Sequence, residues 1–385
     1  MTRLAYCTNV APAETVGELV GALGGLWTDV RRIAAPSGTL GLGLWLPDDA
    51  ARELSVDPER MRDVRAALAD ARLELVTVNA FPARAFHAPV VKETVYRPAW
   101  TEPERFAYTC AVARAVAGIA PQGADVTLST LPLGYPKLAM PDQFRAGALL
   151  LAAVLELHRL RELTGTTVRL ALEPEPCCAI ETVRELIEFF GVVIRPLARH
   201  LTTAGLTADE ADQAIRRHLG ACLDLCHLAV EHEDPVQAMA RLRAADVPVF
   251  KVQVSAAVEV SDPADEANRA ALARFDEPRW LHQVGAPGGI VVIDLPQALH
   301  DKSFAKSKPW RVHFHVPLHE DEVGGLPTTR RDVARFLRHV ASLDDAPVLE
   351  IETYTWSVVP GASDDLAENV AKEIAWVRGV LNAAE

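Results

Sequence analysis

Carboxylates and imidazoles recur at the ends of short apolar runs in this chain. "ACLDLCH" (221–227) carries Asp224 and His227, three residues apart, and "VRLALEPEP" (168–176) runs into Glu173 and Glu175. "VLEIETY" (348–354) holds Glu350 and Glu352, and "WRVHFHVPLH" (310–319) holds His313 and His315. "KVQVS" (251–255) offers Gln253, and "LELVTVNAFP" (73–82) reaches Asn79. Carboxylates that converge repel one another, and a divalent cation offsets that repulsion. Carboxylate, imidazole and amide donors suit Zn, Mn, Co or Mg rather than soft thiolate chemistry. In an extended strand Glu350 and Glu352 share one face, as do His313 and His315. Each group also has a plainer role open to it. Glu350 could pair inside a core with Arg169 or Lys251, His313 and His315 could be satisfied core histidines, and Glu173 and Glu175 could be solvated loop acids.

Such residues need strands to aim them, and the sequence supplies a rhythm of them. Short apolar, often β-branched runs bounded by Pro or Gly alternate with helical patterns. "DPERMRDVRAALADARL" starts with a capping Asp57 and Pro58, and "TVRELIEFF" has the capping-box pair Thr182 and Glu185. Alternating strand and helix predicts parallel strands with crossover helices, and eight or nine strands over 385 residues predict an α/β (β/α)8 barrel. In that fold the strand ends converge on one mouth. There is one strand too many. The segment 256–311 is therefore expected to be an insertion before the last strand, with either "KVQVS" or "WRVHFHVP" outside the barrel. Residues 1–385 are expected to form one domain. The long stretch 79–105 after the third strand is expected to be a loop or lid. It carries His87, Lys92 and Arg97, and the two cations could meet an anionic group.

Bulk properties exclude some functions. The net charge is −13, which disfavours nucleic-acid binding. The start has no apolar signal region, and no apolar stretch reaches the length of a membrane span. Six irregularly spaced cysteines make no disulfide framework, so a cytoplasmic location is expected.

"LEPEP", "CLDLCH" and "LEIETYTW" resemble the xylose-isomerase-like TIM-barrel superfamily of sugar isomerases, epimerases and endonuclease IV-type enzymes. That resemblance implies a metal centre with Glu173 after the fifth strand, Asp224 after the sixth, a histidine after the seventh and Glu352 after the eighth. His227 matches the D-x-x-H histidine that touches substrate or a second metal. The seventh position departs from the pattern: Gln253 stands there, and either its amide oxygen or His315 fills the role. Across nearly the whole chain, "LAYCTNVAPAET", "NAFPARAFHAPVVKETVYRPAW", "STLPLGY", "LDLCHLAVE" and "WRVHFHVPL" are similar to the EboE-type metabolite-traffic family of bacterial ebo-type gene clusters. This implies a secondary-metabolite biosynthesis or export setting, a small sugar-like or phosphorylated metabolite as partner, and room for membrane-protein partners in the same pathway.

The expected function is a metal-dependent isomerase or epimerase. Glu173 or Glu352 would move a proton and His227 would orient a substrate oxygen. Asn79, His87, Lys92, Arg97, Glu175, His282, His313 and Glu350 would line the substrate side. Two alternatives stand beside it. One is a phosphoester hydrolase with several metals, drawing imidazoles from His87, His227, His282, His313 and His315. The other is a non-catalytic metabolite-binding scaffold.

Overall fold

Strand-length apolar runs alternate with capped helices, and the chain folds accordingly. The computed structural model describes residues 3–84, 86–360 and 365–383. Seven strands come first: β1 (Leu4–Cys7), β2 (Leu40–Trp45), β3 (Leu73–Asn79), β4 (Asp125–Thr130), β5 (Thr167–Leu172), β6 (Leu219–Asp224) and β7 (Val249–Val254). Then come β8 (Val258–Val260), β9 (Val284–Ala286), β10 (Ile290–Val292), β11 (Trp310–Val312), β12 (Glu322–Val323) and β13 (Leu326–Pro327), and last β14 (Val348–Ile351). Strands β1 to β7 and β14 close into a parallel barrel, with β14 between β7 and β1. Helices follow the strands, capped as the sequence suggests. Asp57 accepts from the Glu59 and Arg60 amides, and Thr182 and Glu185 form a complete capping box.

"KVQVS" is the seventh barrel strand. "WRVHFHVP" lies outside, where β11 joins an antiparallel sheet of order β10-β9-β11-β8. The excursion expected over 256–311 is longer than that. It continues through the β12–β13 hairpin to the helix Arg330–Ala341, because β11 needs β8 and β9 as partners. Among the described residues no helix is long and apolar enough to cross a membrane.

The barrel interior is polar on one level. Lys251 and Glu350 are both fully buried, with Nζ 2.6 Å from Oε2. Lys251 Nζ also donates to Ser129 Oγ at 3.0 Å. Arg169, the other cation weighed for Glu350, is taken by Asp125 instead. Glu350 is thus an interior ion-pair partner and does not line the mouth, which corrects its expected place on the substrate side. The alternation along β14 puts it one pleat deeper than Glu352.

Gly43 on β2 makes this pair fit, since a Cβ there would lie 1.5 Å from Glu350 Oε1. Gly43→Ala must push a buried carboxylate off its lysine. It is expected to cost at least about 2 kcal/mol in urea unfolding. A midpoint equal to the wild-type value would show that Glu350 has room to move.

Candidate metal centre

Three strand ends supply three carboxylates. Asp224 closes β6, Glu173 follows β5 and Glu352 follows β14; all three are buried. One oxygen from each lies within 4.8 Å of the others. Asp224 uses Oδ1 to cap the helix Leu225–Val230, accepting from the His227 amide at 2.8 Å and from Ser255 Oγ at 2.9 Å. Its Oδ2 has no hydrogen-bond partner among the described residues, and neither does Glu173 Oε2. Glu352 Oε1 accepts from both Asn9 Nδ2 and Asn79 Nδ2 at 2.7 Å, which fixes its orientation. Burial, reinforced by the facing charges of its neighbours, holds Glu173 and Glu352 well above the usual carboxylate range.

Beside them three imidazoles converge. His227 Nδ1 donates to the Pro174 carbonyl at 3.0 Å, and His315 Nδ1 to the Glu352 carbonyl at 2.7 Å. His313 Nδ1 donates to Gln283 Oε1 at 2.6 Å. The Gln283 amide is oriented by its other end, which donates to the Pro176 carbonyl and to Tyr96 Oη. Each Nδ1 faces an acceptor and therefore carries the proton. Burial lowers the pKa of all three rings, that of His227 to about 4, so they are neutral.

Each Nε2 is then a bare lone pair, and the three face one another. His313 Nε2 is 3.1 Å from His227 Nε2 and 3.3 Å from His315 Nε2. No proton is left to join them. Donors about 2.05 Å from a tetrahedral zinc lie about 3.3 Å apart, so the spacing fits a shared cation. His315 Nε2 is also 3.9 Å from the unpartnered Asp224 Oδ2. The residues present thus suit divalent-metal ligation in two overlapping groups, with Asp224, His227 and His315 between them.

Glu173, Glu175, Glu352 and the three imidazoles line a cavity of about 60 Å³. Its other walls are largely aromatic, with Phe81, Phe86, Tyr96, Trp280 and Tyr354. The stretch 79–105 and the excursion meet over it. Lys92 Nζ donates to the Trp280 carbonyl and to Asp294 Oδ2, each at 2.7 Å.

Of the residues expected on the substrate side, Asn79, Lys92, Glu175 and His313 line the cavity. Glu175 accepts from Tyr96 Oη at 2.8 Å, and burial pushes it up to about 8. Lys92 is already neutralised by Asp294. Arg97 turns outward to Glu102 and is half-exposed. His282 spends both nitrogens, on the His313 carbonyl and on Glu277, and stacks on Phe314, so it holds the histidine strand in place. His87 packs edge-on against Trp45 and Phe86 and is not part of the cavity wall. Gln253 faces Cys222, whose thiol donates to its amide oxygen at 3.4 Å, so that oxygen is not with the carboxylates.

Tyr354, Trp280 and Gln283 complete the site without having been singled out from sequence. Trp280 and Gln283 sit in an irregular segment with no periodicity to place them. Asn9 had a legible signal, as the polar end of the first apolar run.

No protein-family model and no curated protein matches the chain. Solved structures do. A xylose isomerase-like TIM-barrel protein from Mycobacterium smegmatis, in complex with magnesium, aligns over 100% of this chain and 98% of its own at 13% identity and a TM-score of 0.51. A xylose isomerase domain protein from Planctomyces limnophilus aligns over 98% of this chain and 95% of its own, at 12% identity and a TM-score of 0.51. A D-tagatose 3-epimerase-like protein aligns over 100% and 98%, at 11% identity and a TM-score of 0.50. The closed eight-stranded parallel barrel and these alignments together give the chain the fold of the xylose isomerase-like TIM barrels.

Proposed function

We propose that this chain is a metal-dependent enzyme of the sugar-isomerase or epimerase kind, acting on a small polar, sugar-like or phosphorylated metabolite. The observation that carries this is the convergence of Glu173, Asp224 and Glu352, two of them with unpartnered buried oxygens, beside His315. His315, and not Gln253, takes the histidine role at the seventh position. Its resemblance to the EboE-type family adds the setting: cytoplasmic, in secondary-metabolite biosynthesis or export, with membrane-protein partners in that pathway.

A divalent ion here (zinc, manganese, cobalt or magnesium) supplies Lewis acidity toward a carbonyl or hydroxyl oxygen. The chain's own groups do the rest. Glu173, with Oε2 unpartnered, acts as the carboxylate that takes the proton from the carbon beside the carbonyl and returns it to the former carbonyl carbon, while the hydroxyl proton passes between the two oxygens. Glu352 is held still by Asn9 and Asn79. His227 presents Nε2 as an acceptor to a substrate hydroxyl.

Metal-loaded protein incubated with a panel of sugars and sugar phosphates in deuterated water is expected to place deuterium beside a carbonyl. Glu173→Gln should remove that exchange. A broad panel with no exchange counts against the reading.

The imidazole cluster favours a second reading, a phosphoester hydrolase using two or more ions. Two metals per chain, together with phosphomonoesterase activity and no solvent exchange, would put it first.

A further inference from the structure

A second cavity, of about 400 Å³, lies at the other end of the barrel. Its floor includes Leu219, which opens β6 at the end opposite Asp224, and Pro248, just before β7. One wall is the helix Ala208–His218, presenting Ala211 and Ile215. Facing it is the segment from Phe190 to Thr202. That segment begins with a π-helical turn, Phe190–Ile194, a form that recurs at functional sites. The volume is that of a small-molecule pocket, several times the space at the metal centre.

The rim has a charge pattern. Arg195, Arg199 and Arg216 line it, against Asp212 and Asp246. Arg216 holds both acids. Arg195 directs one nitrogen at the Ala245 and Asp246 carbonyls. The Arg199 side chain has no hydrogen-bond or ion-pair partner among the described residues. In a chain of net charge −13, an uncompensated guanidinium on the rim of an apolar hollow selects for an anion with an apolar body.

We propose that this cavity binds a small amphipathic carboxylate. Its apolar body rests on Phe190, Ala211, Ile215 and Leu219, and its carboxylate meets Arg199. The ligand class follows from the pairing of one open cation with an apolar floor. A free inorganic anion would leave the floor uncovered, and a neutral hydrocarbon would leave Arg199 unanswered.

Decanoate, titrated calorimetrically into the metal-loaded full chain, tests this. Saturable binding at one site per chain is expected below about 1 mM. Arg199→Gln should weaken it by about tenfold, and decanol should bind about tenfold more weakly than decanoate. Thr202→Trp, which fills the hollow from an exposed helix position, should abolish it, and Asp224→Asn should leave it unchanged. The proposal is overturned by no saturable binding, by equal affinity for decanol, or by indifference to Arg199→Gln. Loss in Asp224→Asn with retention in Thr202→Trp overturns it too, by placing the carboxylate at the metal centre.

Discussion

Asp224→Asn is expected to leave the fold intact and to cut divalent-metal affinity by at least about a hundredfold. The two oxygens of Asp224 have separate duties. Oδ1 caps the following helix and accepts from Ser255, while Oδ2 is unpartnered and faces His315. Asparagine caps a helix as well as aspartate does, so its carbonyl can keep the first duty. Its amide nitrogen then stands where Oδ2 stood, a donor where a ligand needs a lone pair. Asp224→Ala loses both, and should in addition lower stability by about 1 kcal/mol. Metal content after dialysis, read beside the thermal melt, separates the two effects. Wild-type metal retention by Asp224→Asn would exclude Asp224 as a ligand.

The metal-free protein is expected to gain stability as pH falls from 8 to 6.5, and a divalent ion is expected to remove that dependence. Burial raises Glu175 to about 8, and holds Glu173 and Glu352 well above the usual range. An unfolded glutamate titrates near about 4.3. The folded protein therefore keeps protons that the unfolded chain has released. That stability is complete below the unfolded value and is lost as pH rises through the folded one. Glu175 alone accounts for about 2 kcal/mol between pH 6.5 and 8.

The buried imidazoles act in the opposite sense but in a lower window. His227, lowered to about 4, contributes stability above its unfolded value of about 6.5 and loses it as pH falls toward 4. Between 8 and 6.5 each such imidazole gives back only about 0.4 kcal/mol, because the unfolded histidine is at most half protonated there, and the carboxylates outweigh it. A cation at a thousand times its dissociation constant adds about 4 kcal/mol, or about 5 °C in melting temperature for a chain of this length. That gain should be largest at pH 8 and shrink as protons compete for the ligands. A metal-free melting temperature that fell on acidification from 8 to 6.5 would refute the assignment.

The barrel was legible because each strand is a short apolar run ending in a polar residue, and because its crossover helices carry their own start signals, such as Asp57–Pro58 and Thr182/Glu185. Asp224, Glu173 and Glu352 could be found from strand alternation and from resemblance together. At the seventh position residue types alone leave Gln253 and His315 side by side. Gln253 occupies the position in sequence, yet its amide oxygen accepts from the Cys222 thiol. His315 arrives from the segment that follows β11, a strand of another sheet, and local pattern carries no information on where a separate sheet docks. Arg97 and His282 failed for a related reason. Residue type marks a group as able to bind, but a neighbour such as Glu102 or Glu277 decides whether it is already spoken for.

Histidines 313 and 315 stand outside the barrel wall in chain order, at the far side of an excursion that leaves β7 after Val254. An ion shared between Asp224 and His315 is thus a cross-link, closing a loop of roughly ninety residues between the barrel and its appended sheet. Chelation would then act regionally. The appended sheet, its roof over the mouth and the Lys92–Asp294 tie would loosen while the barrel hydrogen bonds held. Amide exchange would speed up between β8 and β13 well before it did in β1 to β7, and the mouth would open as the metal left.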